Sequence, residues 1–161
     1  MSIAETTSRD KTKELMDRIY RYTRHIYDAS RKYFLLGRDR LISDLDAQPD
    51  ETVIEVGCGT ARNLIKMAER YPKAKFYGLD ASQEMLKTAW KNLEKACQEY
   101  RIALKQDYAQ SFEPKALFDS GRPDKIVFSY SLSMIPPWKD SIKHALALLP
   151  EGGEIHIVDF G

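Results

Sequence analysis

VIEVGCGTARN, residues 53–63, places two glycines one residue apart directly behind an apolar run and ahead of a segment with helical spacing. A strand must turn into a helix here, and bare glycine lets backbone N–H groups approach a ligand. A phosphate-binding loop would continue with G-K-[ST], and none follows. A dinucleotide fingerprint, G-x-G-x-x-G, needs Gly or Ala at position 62 to seat the helix on the strand, where this chain has Arg62. That arginine weakens the reading as a nicotinamide-dependent oxidoreductase.

Outward from the turn, short apolar runs alternate with longer periodic ones. TVIEV (52–56), KFYGL (75–79), RIAL (101–104), KIVFS (125–129) and EIHIV (154–158) read as strands. LIKMAER, the stretch from Ser82 to about Glu99, and DSIKHALALL read as helices, with Ser82 and Asp140 as N-caps. Upstream, Leu15, Ile19, Tyr22 and Ile26 form the stripe of an amphipathic helix over 12–27. A second helix starts near Ser30 or Arg38, runs through Leu41, Ile42 and Leu45, and stops before Pro49. Alternating strands and helices, with strands apolar on both faces, predict a parallel sheet wrapped by helices and a ligand at the carboxyl ends of the strands.

Acidic residues stand at those ends. Glu55 lies two before Gly57, Asp80 closes the second strand in GLDAS, and Asp107 follows the third in KQDYA. A carboxylate in the place of Asp80 can accept from both ribose hydroxyls, each charge-assisted bond contributing about 1.5–3 kcal/mol. Asp107 is placed to accept from an exocyclic amine such as that of adenine. A glycine turn with acids behind strands one, two and three describes an adenosine site.

Length and composition set the frame. A chain of 161 residues, 43% hydrophobic and 30% charged, suffices for one soluble domain with a real core, and no apolar run reaches the eighteen or so residues of a membrane span. The N-terminus lacks the apolar core of a secretory signal, so a cytoplasmic, reducing location is expected and Cys58 and Cys97 read as free thiols. The net charge of +1 gives no overall pull toward nucleic acid, but residues 11–40 carry nine Lys/Arg against four Asp/Glu. The basic part is the N-terminal arm, expected over 1–48, ahead of a core over 49–161.

Over about residues 50–160 the chain resembles the class I S-adenosylmethionine-dependent methyltransferases, whose first motif is E/D-x-G-x-G and whose second strand ends in an acid like Asp80. The resemblance implies a three-layer Rossmann-like sheet, strands ordered 3-2-1-4-5, with S-adenosylmethionine as cofactor and S-adenosylhomocysteine as product. It also implies roles. Glu55 helps hold the methionine amino group, Gly57 and Gly59 lie under the methionine part, and Asp80, with Ala81 beside it, takes the ribose. Asp107 takes the adenine amine, Met85 and Tyr108 flank the ring, and Ser129 faces the methionine end. Ala61 stands at the third glycine position of the pattern. The family fold carries seven strands and this chain ends at its fifth. Either a longer protein is represented here, or the open edge pairs with another chain, as in a homodimer.

IPPW (135–138) invites comparison with the [DN]-P-P-[YFW] motif of nucleic-acid and glutamine N-methyltransferases, but Ile135 cannot accept a hydrogen bond. No aromatic and basic interleaving of nucleic-acid type occurs elsewhere, so no nucleic-acid partner is expected. YRYTRHIYDASRKYFLLGRDRLI (20–42) and SYSLSMIPPW (129–138) instead resemble the bacterial enzymes that methylate diacylglyceryl-homoserine to a betaine lipid. That resemblance implies a small-molecule or lipid amine as acceptor. Methyl transfer to an amine is an in-line displacement that needs a neutral lone pair held about 3–3.5 Å from the methyl carbon, without metal or covalent nucleophile.

A quaternary ammonium product is accommodated by aromatic faces, and Tyr20, Tyr22, Tyr27, Tyr33, Tyr130 and Trp138 supply them, with Tyr27 and Tyr130 the catalytic candidates. Arg24, Arg31, Arg38 and Arg40 suit a substrate carboxylate or an anionic membrane surface, which implies peripheral membrane contact. His25, His144 and His156 are isolated and read as structural, with His144 reserved as a proton acceptor. The alternatives are methylation of another small-molecule amine and a non-catalytic subunit that binds the methyl donor.

Overall fold

The computed structural model describes residues 35–160. The helix expected over 12–27 lies outside them, as do Tyr20, Tyr22, Arg24, His25, Tyr27, Arg31 and Tyr33. Contacts divide the chain into two compact units at Leu36/Gly37, and the second, Gly37–Gly161, holds the sheet. This unit begins twelve residues ahead of the boundary expected at 48/49, because Leu41, Ile42, Leu45 and Ala47 bury their side chains in its core.

The described elements are α1 (Leu35–Asp44), β1 (Thr52–Val56), α2 (Arg62–Arg70), β2 (Lys75–Asp80), α3 (Gln83–Lys95), β3 (Ile102–Gln106), α4 (Pro114–Phe118), β4 (Lys125–Ser129), α5 (Trp138–Leu148) and β5 (Glu154–Val158), with a 3-10 turn at Leu132–Met134. All strand pairings are parallel, in the expected order β3-β2-β1-β4-β5.

Alternation along each strand sends neighbouring side chains to opposite faces. Val53, Phe76, Ile102, Leu104 and Val127 pack under α1, α2 and α3 with Leu64, Met67, Leu86, Ala89 and Leu93. Ile54, Val56, Leu79, Ile126 and Phe128 form the opposite face, covered from α4 and α5 and their flanks by Leu117, Ile142, Ala145 and Leu148. By the same period Glu55, Asp80 and Ser129 belong to the α1–α3 face, at the carboxyl ends of β1, β2 and β4.

Helix starts follow the expectation in part. Ser82 caps α3, its hydroxyl accepting from the Met85 N–H at 3.3 Å. Asp140 does not cap α5: the helix begins at Trp138 with Pro137 in the cap position. The proline ring restricts its own φ, here −86°, and needs no N–H, so it suits a helix start. Asp140 then falls in the first turn, where a negative charge complements the helix dipole. Helix α3 stops at Lys95, short of Glu99, and Cys97 turns the chain with a φ of 53°. The one-turn helix α4 and the 3-10 turn have no counterpart in the expected pattern.

Candidate functional site

The glycine turn is a tight backbone loop at the end of β1. Gly57 and Gly59 have φ of 72° and 54°, and Ala61, in the third glycine position, also adopts a left-handed 62°. The N–H groups of Gly57 and Cys58 donate to the Leu79 carbonyl at 2.8 and 3.0 Å, which ties the turn to the end of β2. Ser131 closes the other side by donating its hydroxyl to the Val56 carbonyl at 2.9 Å.

Two buried carboxylates flank this loop. Asp80, 2% exposed, accepts from the Gly59 N–H through Oδ2 and from the Ser82 N–H through Oδ1, both at 2.8 Å. Burial raises its pKa, and the two N–H donors oppose the rise. Asp80 thus organises both the glycine turn and the α3 cap. Each oxygen accepts one backbone bond and retains lone-pair capacity for a second donor. Glu55, 1% exposed, accepts from Asn63 Nδ2 through Oε1 at 2.7 Å, while its Oε2 has no partner. Burial pushes Glu55 up to about 8, against the lowering effects of Asn63 and the Arg38 charge.

Buried polar groups in folded proteins are nearly always hydrogen-bonded, so an orphan needs an explanation. Among the described residues, four buried side-chain atoms lack partners: Arg38 Nε, Glu55 Oε2, Ser129 Oγ and, elsewhere, Glu99 Oε2. The first three come from α1 and the carboxyl ends of β1 and β4. Arg38 lies over the Tyr130 ring, 5.0 Å from its centroid, and Phe160 packs against the same ring at 5.0 Å. Tyr130 itself holds a left-handed φ of 53°, a strained conformation for a bulky residue, directly after β4.

Four more of the expected residues, Ala81, Met85, Asp107 and Tyr108, follow the carboxyl ends of β2 and β3. Asp107 donates its N–H to the Asp80 carbonyl at 3.3 Å, and its Oδ1 accepts from the Tyr108 N–H at 2.7 Å. Asp107, Tyr108, Met85 and Ala81 are all half-buried, and the Ala81 carbonyl accepts from Gln106 Nε2 at 2.9 Å. Trp138 opens α5 with Lys139 Nζ 5.4 Å above its ring, and Arg40 is exposed and paired with Asp44. His144 bonds the Phe112 carbonyl at 2.7 Å and His156 bonds Glu154 at 2.7 Å, partnerships that employ each ring in holding the fold. Burial pushes the Cys58 thiol well up, so it stays protonated within the turn.

Two contributors escaped the reading of the sequence. Asn63, which fixes Glu55, shares the inward face of α2 with Met67, four residues on; a polar residue in an apolar stripe was the available signal. Ser131 offered none, because its partner Val56 lies 75 residues away in sequence.

The donor set fits a nucleoside with a zwitterionic tail. A buried carboxylate with an open oxygen suits an ammonium, and a second carboxylate beside the glycine turn suits a diol. Residues 47–161 match the family model described as "Methyltransferase domain". Demethylmenaquinone methyltransferase of Desulfitobacterium hafniense (strain Y51) is 24% identical over 123 residues, covering 76% of this chain and 47% of that protein. Trans-aconitate 2-methyltransferase of Rhodococcus jostii (strain RHA1) is 26% identical over 117 residues, covering 73% and 41%. This chain therefore spans less than half the length of those curated relatives. In three dimensions, a protein of Methanococcus maripaludis assigned as an S-adenosyl-L-methionine-dependent methyltransferase superposes with a TM-score of 0.68 at 20% identity, covering 83% of this chain and 61% of that one. On the extent of the family match, with fold and strand order in agreement, the chain belongs to the methyltransferase-domain family and has the class I fold, whose methyl donor is S-adenosylmethionine and whose product is S-adenosylhomocysteine.

Proposed function

We propose that this chain is the donor-binding part of an N-methyltransferase whose acceptor is a small-molecule or lipid amine, with diacylglyceryl-homoserine as the specific candidate. The observation that carries the cofactor half is the pair of buried carboxylates, Glu55 and Asp80, on either side of a left-handed glycine turn. When bound, S-adenosylmethionine supplies an electrophilic methyl group on a positively charged sulfur. The chain's own residues bind and orient. Glu55, held by Asn63, offers its open oxygen to the ammonium; Asp80 offers remaining lone pairs to the ribose hydroxyls; Asp107 offers its carboxylate to the adenine amine. Met85, Ala81 and Tyr108 line the nucleoside end, and Ser129 the methionyl end.

The acceptor half rests on the resemblance of residues 20–42 and 129–138 to the betaine-lipid enzymes. Two of the relatives, though not all, are named for small molecules, demethylmenaquinone and trans-aconitate, in keeping with an acceptor of that size. Tyr130 is already in contact with Arg38 and Phe160, so its proposed role is to wall the acceptor side; Tyr27 of the arm is assigned the second aromatic face. The basic arm gives peripheral contact with anionic lipid. Among the described residues no helix is long and apolar enough to cross a membrane.

Incubation with labelled methyl donor and diacylglyceryl-homoserine tests the acceptor: labelled mono-, di- or trimethylated lipid supports it, and label only in other amines replaces it. A chain stabilised against heat by S-adenosylhomocysteine that methylates nothing in a lipid and amine extract would be a non-catalytic binder. Stabilisation by NADH and not by S-adenosylhomocysteine would remove the cofactor assignment. Co-sedimentation with anionic vesicles at low and not at high salt would support membrane contact, and no sedimentation at low salt would end it.

A further inference from the structure

Residues 107–113 connect β3 to α4 and carry Asp107 and Tyr108 at their start. The loop's own backbone aims the Asp107 carboxylate: one oxygen accepts from the Tyr108 N–H at 2.7 Å, and the Tyr108 carbonyl accepts from the Ser111 N–H at 3.1 Å. Where the carboxylate points therefore depends on where the loop is held. At its head the Asp107 N–H reaches the Asp80 carbonyl only at 3.3 Å. Further along, Ala109 and Phe112 are buried on the face of the sheet that α5 covers, Phe112 completely.

No backbone N–H among the described residues reaches the Phe112 carbonyl. Its partner is His144 of α5, at 2.7 Å, and the same imidazole meets the Phe112 ring edge-on with centroids 5.2 Å apart. A carbonyl can only accept, so Nε2 carries the hydrogen and donates it. One side chain thus holds Phe112 by backbone and by ring. The helix that presents it is itself fixed, because Ser141 and Ala145 are buried and the Ser141 hydroxyl donates to the Pro137 carbonyl at 3.1 Å. An apolar residue at 144 could pack on the ring, but only a donor can hold the carbonyl.

We propose that His144 is a positioning residue for the nucleoside end of the site: by holding Phe112 it sets the loop from which Asp107 meets the adenine amine. This rests on the S-adenosylmethionine reading of the site and on the assignment of that amine to Asp107. The imidazole is thereby assigned to selection of the methyl donor, acting through the loop, and not to taking a proton from the acceptor.

Calorimetric titration of the full chain with S-adenosylhomocysteine and with its 6-deamino analogue, in which hydrogen replaces the adenine amine, tests the assignment. The wild-type chain is expected to prefer S-adenosylhomocysteine about ten- to a hundredfold, the value of one hydrogen bond to a carboxylate. His144→Leu keeps an apolar contact with Phe112 and loses the N–H; it should bring the two ligands within about threefold of each other, chiefly by weakening S-adenosylhomocysteine. His144→Gln, whose amide carries an N–H at a similar reach, should restore most of the preference. Thermal melting reads the structural contribution separately: a lower midpoint with the wild-type preference intact would leave His144 as scaffold and overturn the proposal. Should His144→Leu fail to fold, His144→Asn, polar but too short to reach the carbonyl, is read by the same ratio; a lost preference supports the proposal and a kept one overturns it. A wild-type chain that binds both ligands equally would remove Asp107 from the adenine amine, and this inference with it, while leaving the cofactor reading in place. Binding of neither ligand would overturn the cofactor reading itself.

Discussion

Gly57 faces Ser131 so closely that a Cβ on the glycine would lie 2.6 Å from the serine Cβ. Two constraints therefore fall on one residue: a φ of 72° and a neighbour that is itself bonded to the Val56 carbonyl. Gly57→Ala is expected to lower stability by about 2–4 kcal/mol, from left-handed strain plus overpacking. Gly59→Ala, with a φ of 54° and nothing within 4 Å, should lose only the strain, about 1–2 kcal/mol. Urea denaturation checks the ranking. Adding Ser131→Gly to Gly57→Ala should return the steric part; if it does not, the contact is not the cause.

Ala61 shares the left-handed geometry of the two glycines, with a φ of 62°, yet carries a methyl group. Replacing it with glycine releases about 1–2 kcal/mol of strain and gives back about 0.4–1 kcal/mol through the more flexible unfolded chain. Ala61→Gly should thus raise stability by up to about 1 kcal/mol, seen as a higher urea midpoint with an unchanged slope. A lower midpoint would mean that the buried methyl contributes more packing than its conformation costs.

Much of the fold is written locally. TVIEV and KIVFS form strands over the expected residues because short apolar runs buried on both faces have few other solutions, and EIHIV does so by pairing with β4, its side chains half-buried or exposed. The start of α5 misled because Asp140 and Pro137 both carry helix-start signals, and local pattern does not rank them. For the site, the glycines and the acids at strand ends were visible because their positions follow from strand direction alone. Asn63, Ser131 and the stacking of Arg38 on Tyr130 depend on which distant segment arrives beside them, and one sequence carries no record of that.

Asp80 joins Gly59 to Ser82 through its two oxygens, so a substitution there acts on fold and ligand together. Asp80→Ala should weaken S-adenosylhomocysteine by about ten- to a hundredfold and also lower stability by about 1–3 kcal/mol, since two buried N–H groups lose their acceptor. Asp80→Asn keeps one acceptor oxygen and should fall between on both measures. Calorimetry and urea denaturation on the same samples separate the effects. Destabilisation with unchanged affinity would leave Asp80 as scaffold and place the ribose elsewhere.

Glu55 makes the site sensitive to pH. Its carboxyl is pushed up to about 8 by burial, from an ordinary value of 4.5. Between those values the folded chain holds a proton that the unfolded chain has released, so this group makes stability fall as pH rises from about 5 to about 8 and has no further effect above. Glu55→Gln keeps an acceptor for Asn63 and removes the titration, so the fall in urea midpoint between pH 5.5 and 8 should be smaller in the variant than in the wild type. A ligand ammonium set against Glu55 favours the carboxylate, so binding S-adenosylhomocysteine near pH 7 should release a proton and tighten as pH approaches 8. Titrations in buffers of different ionisation enthalpy read that proton directly, and its release should vanish in Glu55→Gln. A heat of binding that is the same in every buffer would mean that Glu55 does not change its protonation when the ligand enters, and that the ammonium is held by some other group.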